Sequence, residues 1–397
     1  MSAVHLDLSG IPLPQATAQA VETLRAGGLV IFPTETVYGA GVDATNPQAV
    51  DKLLKFKSRR EGKPLSIAVT DLAMAEQYVE VNESAKQLYA RFLPGPMTVV
   101  STGRHLVAPG VESEYGSLGV RIPDYPLVLD MVRALGKPIT ATSANGSGQK
   151  RPYTIADVES GLSGAQLALV DLILDAGTLP TRPPSTVVDT TLSAPVVFRQ
   201  GDIAVPTVSA TSNGERTILQ SRSADETRDI AQRLMLKYWE KLKSGGVLIS
   251  LHGSLGAGKT TFTQGIGKFL QLSEPITSPT YSYVESYDFT RHGVSGKLNH
   301  LDLWKVSSPD EFARLGLDEL IGPHTLTVLE WASTLPGLAD EIAKKHQLVH
   351  LVITLTEPTV AEPTAAEHTA AEPSAEHGAV PNARTLTIQE VLPSSHA

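Results

Sequence analysis

Two groupings of residues in this sequence are suited to handling phosphate. The first is GSLGAGKT, Gly253 to Thr260, which fills the pattern GxxxxGK[ST] at every position. Glycines so placed let a loop curl until its backbone N–H groups face phosphate oxygens, a lysine adds a point charge, and a Ser or Thr hydroxyl can ligate Mg²⁺. Gly253, Ser254, Leu255, Gly256, Ala257, Gly258, Lys259, Thr260 and the adjoining Thr261 are therefore the expected nucleotide-binding residues of this half. Such a loop also needs a second metal anchor and a group that positions water. LNHLD, ending in Asp302, and LTVLE, ending in Glu330, are short apolar runs each closed by an acid. As strands of a doubly wound sheet they would carry those acids at their carboxyl ends, where such sheets hold ligands.

The second grouping lies in the N-terminal half and contains no nucleophile elbow, no HExxH and no cysteine. What it offers is hydroxyls, cations and glycines: PTETVYGAG at 33–41, Lys57 and Arg59 with Lys63 close behind, GVRIP at 119–123, and ATSANGSG at 141–148. Cations and hydroxyls without a nucleophile suit phosphoryl or nucleotidyl transfer by positioning and charge stabilisation. The segment 51–63 holds six Lys/Arg and two acids. Taken alone it reads first as a solvated helix face; the alternative function is the grip of an RNA-binding module whose P-loop partner is a regulatory switch. His346 and His350 have i,i+4 spacing but no acid between them, so they are assigned to surface polarity rather than zinc.

The elements that must position these groups follow from apolar patterning. Residues 16–32 read as an amphipathic helix breaking at Gly27 and Gly28 into a buried strand. Strands are expected at 65–69, 97–101, 119–122, 139–141 and 186–189, with helices at 49–56, 84–92 and 126–135 between them, an alternation that argues for α/β. Residues 205–222 lose the apolar period and read as a linker. A helix from 224 to 242, a strand at 247–251 and a helix from Lys259 to about Leu270 follow. Two strand-like runs, 348–355 and 384–391, read as a terminal β-hairpin. Its turn is expanded by an Ala/Glu/Pro-rich segment whose composition cannot repay the entropy of ordering.

A length of 397 residues suits two or three domains. Of the net charge of −9, the chain from Thr356 onward carries −5, from six acids and one base, leaving a near-neutral body. Such a body does not advertise bulk nucleic-acid affinity. The absence of cysteine removes disulfides, thiolate nucleophiles and zinc ribbons, and it fits a reducing compartment. No apolar run nears the ~20 residues of a membrane span, and the first residues lack the pattern of a secretory signal. A cytoplasmic place is the expectation, with no membrane partner.

The motifs carry two family resemblances. The P-loop, SPTYSYVESY at 278–287, HLDLW at 300–304 and LEW at 329–331 resemble the TsaE family, the small P-loop ATPase of bacterial tRNA threonylcarbamoyladenosine synthesis. That resemblance implies Thr280 near the γ-phosphate and Mg²⁺, Asp302 as a metal-side carboxylate, and Glu330 as a group needed for ATP turnover. Thr260, Thr280, Asp302 and Glu330 form the implied Mg²⁺ set. In the first half, PTETVYGAG, KxR, PGPMT at 94–98, VRIPD, TSANGSG, PSTVVD at 184–189 and RQG at 199–201 resemble the TsaC/YrdC family across 15–203. Some of its members have a His where this chain has Ala68, and Arg60 stands where Pro is usual.

The second resemblance implies synthesis of threonylcarbamoyl-adenylate from L-threonine, bicarbonate or CO₂ and ATP, with release of pyrophosphate. By position, Thr36, Arg121 and Ser185 would hold threonine. Lys57, Arg59, Lys63, Ser143, Asn145 and Arg199 would hold ATP, with Ser117 and Arg151 beside them; Lys57 and Arg59 would also be catalytic. Thr34 and Ser147 read as loop-capping hydroxyls. The expected partner is a TsaD–TsaB-type transferase complex, with tRNA contacted indirectly. The fold expected is α/β throughout: a YrdC-like twisted α/β sheet domain at 1–204, a linker at 205–222, and a P-loop NTPase-like α/β domain at 223–355. A disordered insert at 356–382 and a terminal strand and tail at 383–397 complete the chain.

Overall fold

A computed structural model describes residues 3–58, 64–146, 149–205, 210–211, 214–357 and 383–391. Its contacts divide the chain into two units, Met1–Val205 and Pro206–Ala397.

In the first unit, alternation along Leu29–Phe32 sets the layers. Leu29 and Ile31 enter one core with Leu53, Phe56, Ile67, Val99 and Val120. Val30 and Phe32 face the other way, onto Ala16, Ala20 and Leu24 of helix Leu13–Arg25 and onto Leu127 and Met131 of helix Pro126–Leu135. Opposite faces of one strand thus build two cores, as a side-chain period of two requires. Among the described residues one sheet runs Val4–Asp7, Leu172–Asp175, Val30–Phe32, Gly39–Gly41, Thr142–Ser143. Its last pairing sets Gly39 opposite Ser143, joining the PTET loop to the TSAN loop. The other sheet runs Val196–Arg199, Thr186–Asp189, Met97–Gly103, Ser117–Arg121, Ser66–Ala68, Ile139–Thr140, with Val79–Glu80 against Met97–Gly103.

In the second unit, Val349–Thr356, Val247–His252, Thr325–Glu330 and Val294–Asp302 lie parallel in that spatial order. Val284–Arg291 pairs antiparallel at one side. One sheet face packs under Phe312, Leu317 and Ile342 through Leu248, Leu301 and Leu329. Helices Ala224–Ser244 and Lys259–Leu270 pack on each other, Trp239 meeting Phe269 edge-on at 5.6 Å.

The expected hairpin forms, Val349–Thr356 against Arg384–Val391. The reading of 205–222 as a linker needs correction. Gly214–Ser221 is a strand paired along its length with Arg384–Val391, and Ala210–Thr211 pairs with it in turn. The strand went unseen because its buried side chains, Leu219 and Ser221, include only one large apolar group; Leu386 and Ile388 of its partner supply the rest of the local core. The Ala/Glu/Pro-rich residues 358–382 lie outside the described residues. Among the described residues no helix is long and apolar enough to cross a membrane.

Candidate functional site

In the first unit the site grows from strand ends. Helix Pro47–Lys57 delivers Lys57 at its last turn, and the Lys57 ammonium is buried, donating to the carbonyls of Ser143 at 2.7 Å and Asn145 at 2.5 Å. The Ser143 hydroxyl donates to Asn145 Oδ1 at 2.6 Å, and the Asn145 amide donates to the carbonyls of Gln149 and Lys150. Lys57, Ser143 and Asn145 are thereby one hydrogen-bonded group. Arg59, Arg60, Lys63 and Ser147 lie outside the described residues.

Arg121 ends strand Ser117–Arg121 beside Ala68, its register partner. Its guanidinium donates to Glu35 Oε1 at 2.5 Å, and both side chains are more than nine-tenths buried. Among the described residues, Glu35 Oε2 and Arg121 Nε have no hydrogen-bond partner. Glu35 sits between Thr34 and Thr36 and was not singled out from sequence. Thr36 is buried, while the Thr34 hydroxyl donates to the Val37 carbonyl at 2.6 Å and accepts the N–H groups of Thr36 and Val37 at 3.2 Å each. Thr34 therefore shapes the turn that presents Thr36.

Arg199 binds Ser185 twice, Nη2 to the hydroxyl at 2.9 Å and Nε to the carbonyl at 3.1 Å. The approach depends on Gly201, where a Cβ would sit 2.0 Å from the Pro184 carbonyl oxygen. Partial desolvation, then the nearby positive charges of Arg121 and Arg151, push the Arg199 guanidinium down to about 10. Solvent still reaches the side chain. Ser117 stands apart: its hydroxyl pairs with Ser113 at 2.7 Å, at the opposite end of the strand from Arg121.

In the second unit the loop after Val247–His252 turns through positive φ at Gly253, Gly256 and Gly258 before helix Lys259–Leu270 begins. A Cβ on Gly253 would lie 2.5 Å from the Leu355 carbonyl oxygen, so the loop also lies close to the neighbouring strand. Lys259 donates to the carbonyls of Gly253 and Ser254, both at 3.0 Å, and stands 4.0 Å from the Trp331 ring centre. Burial lowers its affinity for a proton, partly countered by Glu330 and Asp302.

Asp302 and Glu330 end adjacent parallel strands as register partners. The Thr260 hydroxyl donates to Glu330 Oε1 at 3.0 Å, and the Thr280 hydroxyl donates to Asp302 Oδ2 at 2.7 Å. The structure therefore brings Lys259, Thr260, Thr280, Asp302 and Glu330 to one end of the sheet. Sequence reading passed over His300, fully buried with Nε2 2.8 Å from Glu330 Oε1, and Arg384, whose guanidinium reaches the P-loop. The signal for His300 was present, since HLD with strand alternation puts residues 300 and 302 on one face.

The assignment of His350 to surface polarity fails. It is buried in strand Val349–Thr356, Nδ1 2.9 Å from Asp340 and Nε2 2.8 Å from the Ser250 hydroxyl. Its face of the strand lies under helix Leu338–Lys345, which supplies Asp340.

The Sua5–YciO–YrdC family model, described by the words telomere recombination, matches residues 22–201. The model of threonylcarbamoyl adenosine biosynthesis protein TsaE matches residues 221–359. A threonylcarbamoyl-AMP synthase of Vibrio campbellii is 34% identical over 187 residues, covering 46% of this chain and 97% of that protein. Another, from Bacillus subtilis, is 35% identical over 195 residues, covering 49% of this chain and 55% of its own length. Among solved structures, Escherichia coli YciO is 28% identical and covers 51% of this chain and 96% of its own, with a TM-score of 0.44.

Proposed function

This chain belongs to the Sua5–YciO–YrdC family through its first unit and carries a TsaE domain as its second, and from that premise we propose a bifunctional enzyme of tRNA threonylcarbamoyladenosine synthesis. The first unit is a threonylcarbamoyl-AMP synthase that takes L-threonine, bicarbonate or CO₂, and ATP. The threonine amine captures CO₂ as a carbamate; a carbamate oxygen attacks the α-phosphorus and pyrophosphate leaves with its electron pair. No residue need form a covalent bond to substrate, which suits a site of cations and hydroxyls.

The observation that carries this reading is the hydrogen-bonded group of Lys57, Ser143 and Asn145, together with the Arg199 guanidinium held on Ser185 by two hydrogen bonds. Cations taken out of water and set among hydroxyls make a site whose electrostatic cost an anionic ligand relieves. Arg121 with Thr36 and Ser185 suits threonine and its carboxylate. Arg199 and Arg151, with Lys57, Ser143 and Asn145 across the paired loops, suit the triphosphate. Arg59 and Lys63 complete the proposed ATP set, and Lys57 and Arg59 offset charge growing on phosphorus and on the leaving pyrophosphate.

The second unit is the ATPase. Lys259 exchanges its loop carbonyls for phosphate oxygens, and Glu330 orients water for attack on the γ-phosphate. The oxygen donors of Thr260, Thr280, Asp302 and Glu330 match the hard ligands Mg²⁺ prefers, so these residues would hold that ion. When bound, the metal would neutralise charge on the phosphates. ATP turnover there serves a TsaD–TsaB-type transferase complex in the cytoplasm, with tRNA met through that complex. One polypeptide holding both units raises the local concentration of each near the shared partner.

The test supplies the full chain with ATP, Mg²⁺, threonine and bicarbonate and follows pyrophosphate and the adenylate. Both should form only with threonine and bicarbonate present, and Arg59→Ala should abolish both. Pyrophosphate release indifferent to threonine would refute the synthase reading.

A further inference from the structure

The P-loop is held from two sides by cations. From within, Lys259 takes the carbonyls of Gly253 and Ser254. From the other side, Arg384 at the start of strand Arg384–Val391 takes two further carbonyls, Nη2 to Gly256 at 3.1 Å and Nε to Ala257 at 3.1 Å. Its remaining amino group is fixed by the Ala383 carbonyl at 2.6 Å. The guanidinium is thus held flat against the loop, in the fork geometry that lysine cannot reproduce.

A peptide unit is planar, so fixing a carbonyl also fixes the N–H on the far side of the same bond. Holding the carbonyls of Gly256 and Ala257 sets the N–H directions of Ala257 and Gly258. The Ala257 N–H donates to the Ser254 carbonyl at 3.2 Å and closes the loop's turn, while Gly258 lies within the stretch whose N–H groups cradle phosphate in loops of this pattern. Once Lys259 turns to a nucleotide, it leaves the carbonyls of Gly253 and Ser254, and Arg384 keeps its grip on the other two. Arg384 follows the Ala/Glu/Pro-rich segment and lies beyond residue 359, where the TsaE match ends. Its strand is tied to the sheet at Thr356–Thr385 and Ser221–Arg384.

We propose that Arg384 is a positioning residue of the nucleotide site, a brace that presets the P-loop for triphosphate, so that the strand beyond the insert is part of the ATPase. The proposal rests on reading the second unit as an ATPase. Because the brace acts on the loop equally before and during phosphoryl transfer, its loss weakens nucleotide binding and leaves the chemical step intact.

The experiment follows ADP formation by the full chain at varied ATP, with pyrophosphate measured in parallel. Arg384→Ala is expected to raise the KM for ATP in ADP formation about tenfold or more, with kcat changed less than about twofold, in line with losing two charge-assisted hydrogen bonds. Arg384→Lys should fall between, and pyrophosphate release should not change. A residue that merely steadies its strand would lower kcat with the folded fraction and leave KM alone, and that result overturns the proposal. If the alanine variant does not fold, Arg384→Lys decides, since a wild-type KM there also overturns it. A wild-type chain that forms no ADP dependent on Lys259 removes the ATPase reading itself, an outcome distinct from a wild-type KM in the Arg384 variants.

Discussion

Asp302 and Glu330 stand opposite each other at the carboxyl ends of neighbouring parallel strands, each already holding a threonine hydroxyl, Thr280 for Asp302 and Thr260 for Glu330. Asp302 is tied by the Trp304 N–H at 2.8 Å as well, and Glu330 by His300.

Glu330→Gln keeps the shape and a hydrogen-bonding oxygen at that place while removing the charge. ADP formation should fall about 10²-fold or more, the scale of losing a group that orients a nucleophile. Nucleotide affinity, read by equilibrium titration with Mg²⁺ and a non-hydrolysable triphosphate, should change only a few-fold. Thr260, Thr280 and Asp302 would still hold the metal, so a large affinity loss with little change in turnover would confine Glu330 to metal holding and remove its part in orienting water.

Lys57→Met keeps the buried stem and removes the two charge-assisted bonds to Ser143 and Asn145. Pyrophosphate release should drop by about 10²-fold or more, because the cation proposed to be catalytic and its hold on the proposed ATP loop are lost together. ADP formation by the same sample should be unaffected.

Gly201→Ala pushes a methyl group into the Pro184 carbonyl and the Ser185 backbone, which lie 2.0 and 2.6 Å from the Cβ position. Backbone neighbours cannot step aside cheaply, so the first unit should lose about 1–3 kcal/mol. Ser185 should also shift from Arg199. Thermal melting together with the KM for threonine checks both, the first falling and the second rising.

Burial holds the His350 imidazole below its ordinary value, outweighing the opposite pull of Asp340. The unfolded chain, with an ordinary histidine near 6.5, then takes up a proton that the folded chain refuses. The contribution of the neutral histidine is complete above roughly pH 6.5 and declines as pH falls toward the lower folded value. His350→Gln should flatten the acid side of the stability profile of the second unit. Denaturant melts at two pH values decide it: equal losses in both proteins on acidification would contradict the argument.

Much of this was legible in the sequence where chemistry and local pattern coincide. GSLGAGKT announced its loop, and the helix Lys259–Leu270 begins and ends where expected because the loop glycines and Gln271 interrupt helical geometry there. Asp302 and Glu330 could be placed because each closes a short apolar run that does form a strand. What stayed hidden depends on partners far away in the chain. Gly214–Ser221 gains its strand character from Leu386 and Ile388 on the strand it pairs with. Glu35 gains its meaning from Arg121, 86 residues on, and Arg384 from Gly256 and Ala257, more than a hundred residues before it. No local period records such meetings. His350 was misread for the same cause: its run reads as a strand, but nothing local shows that the strand buries it against Ser250 and Asp340.

The central claim is that two triphosphate sites, built from separate stretches of chain, cleave ATP at different bonds. The most direct measurement gives full-length Lys259→Ala ATP, Mg²⁺, threonine and bicarbonate and counts pyrophosphate and ADP in the same reaction. The account predicts that ADP disappears while pyrophosphate forms at the wild-type rate. Loss of both products together would contradict it.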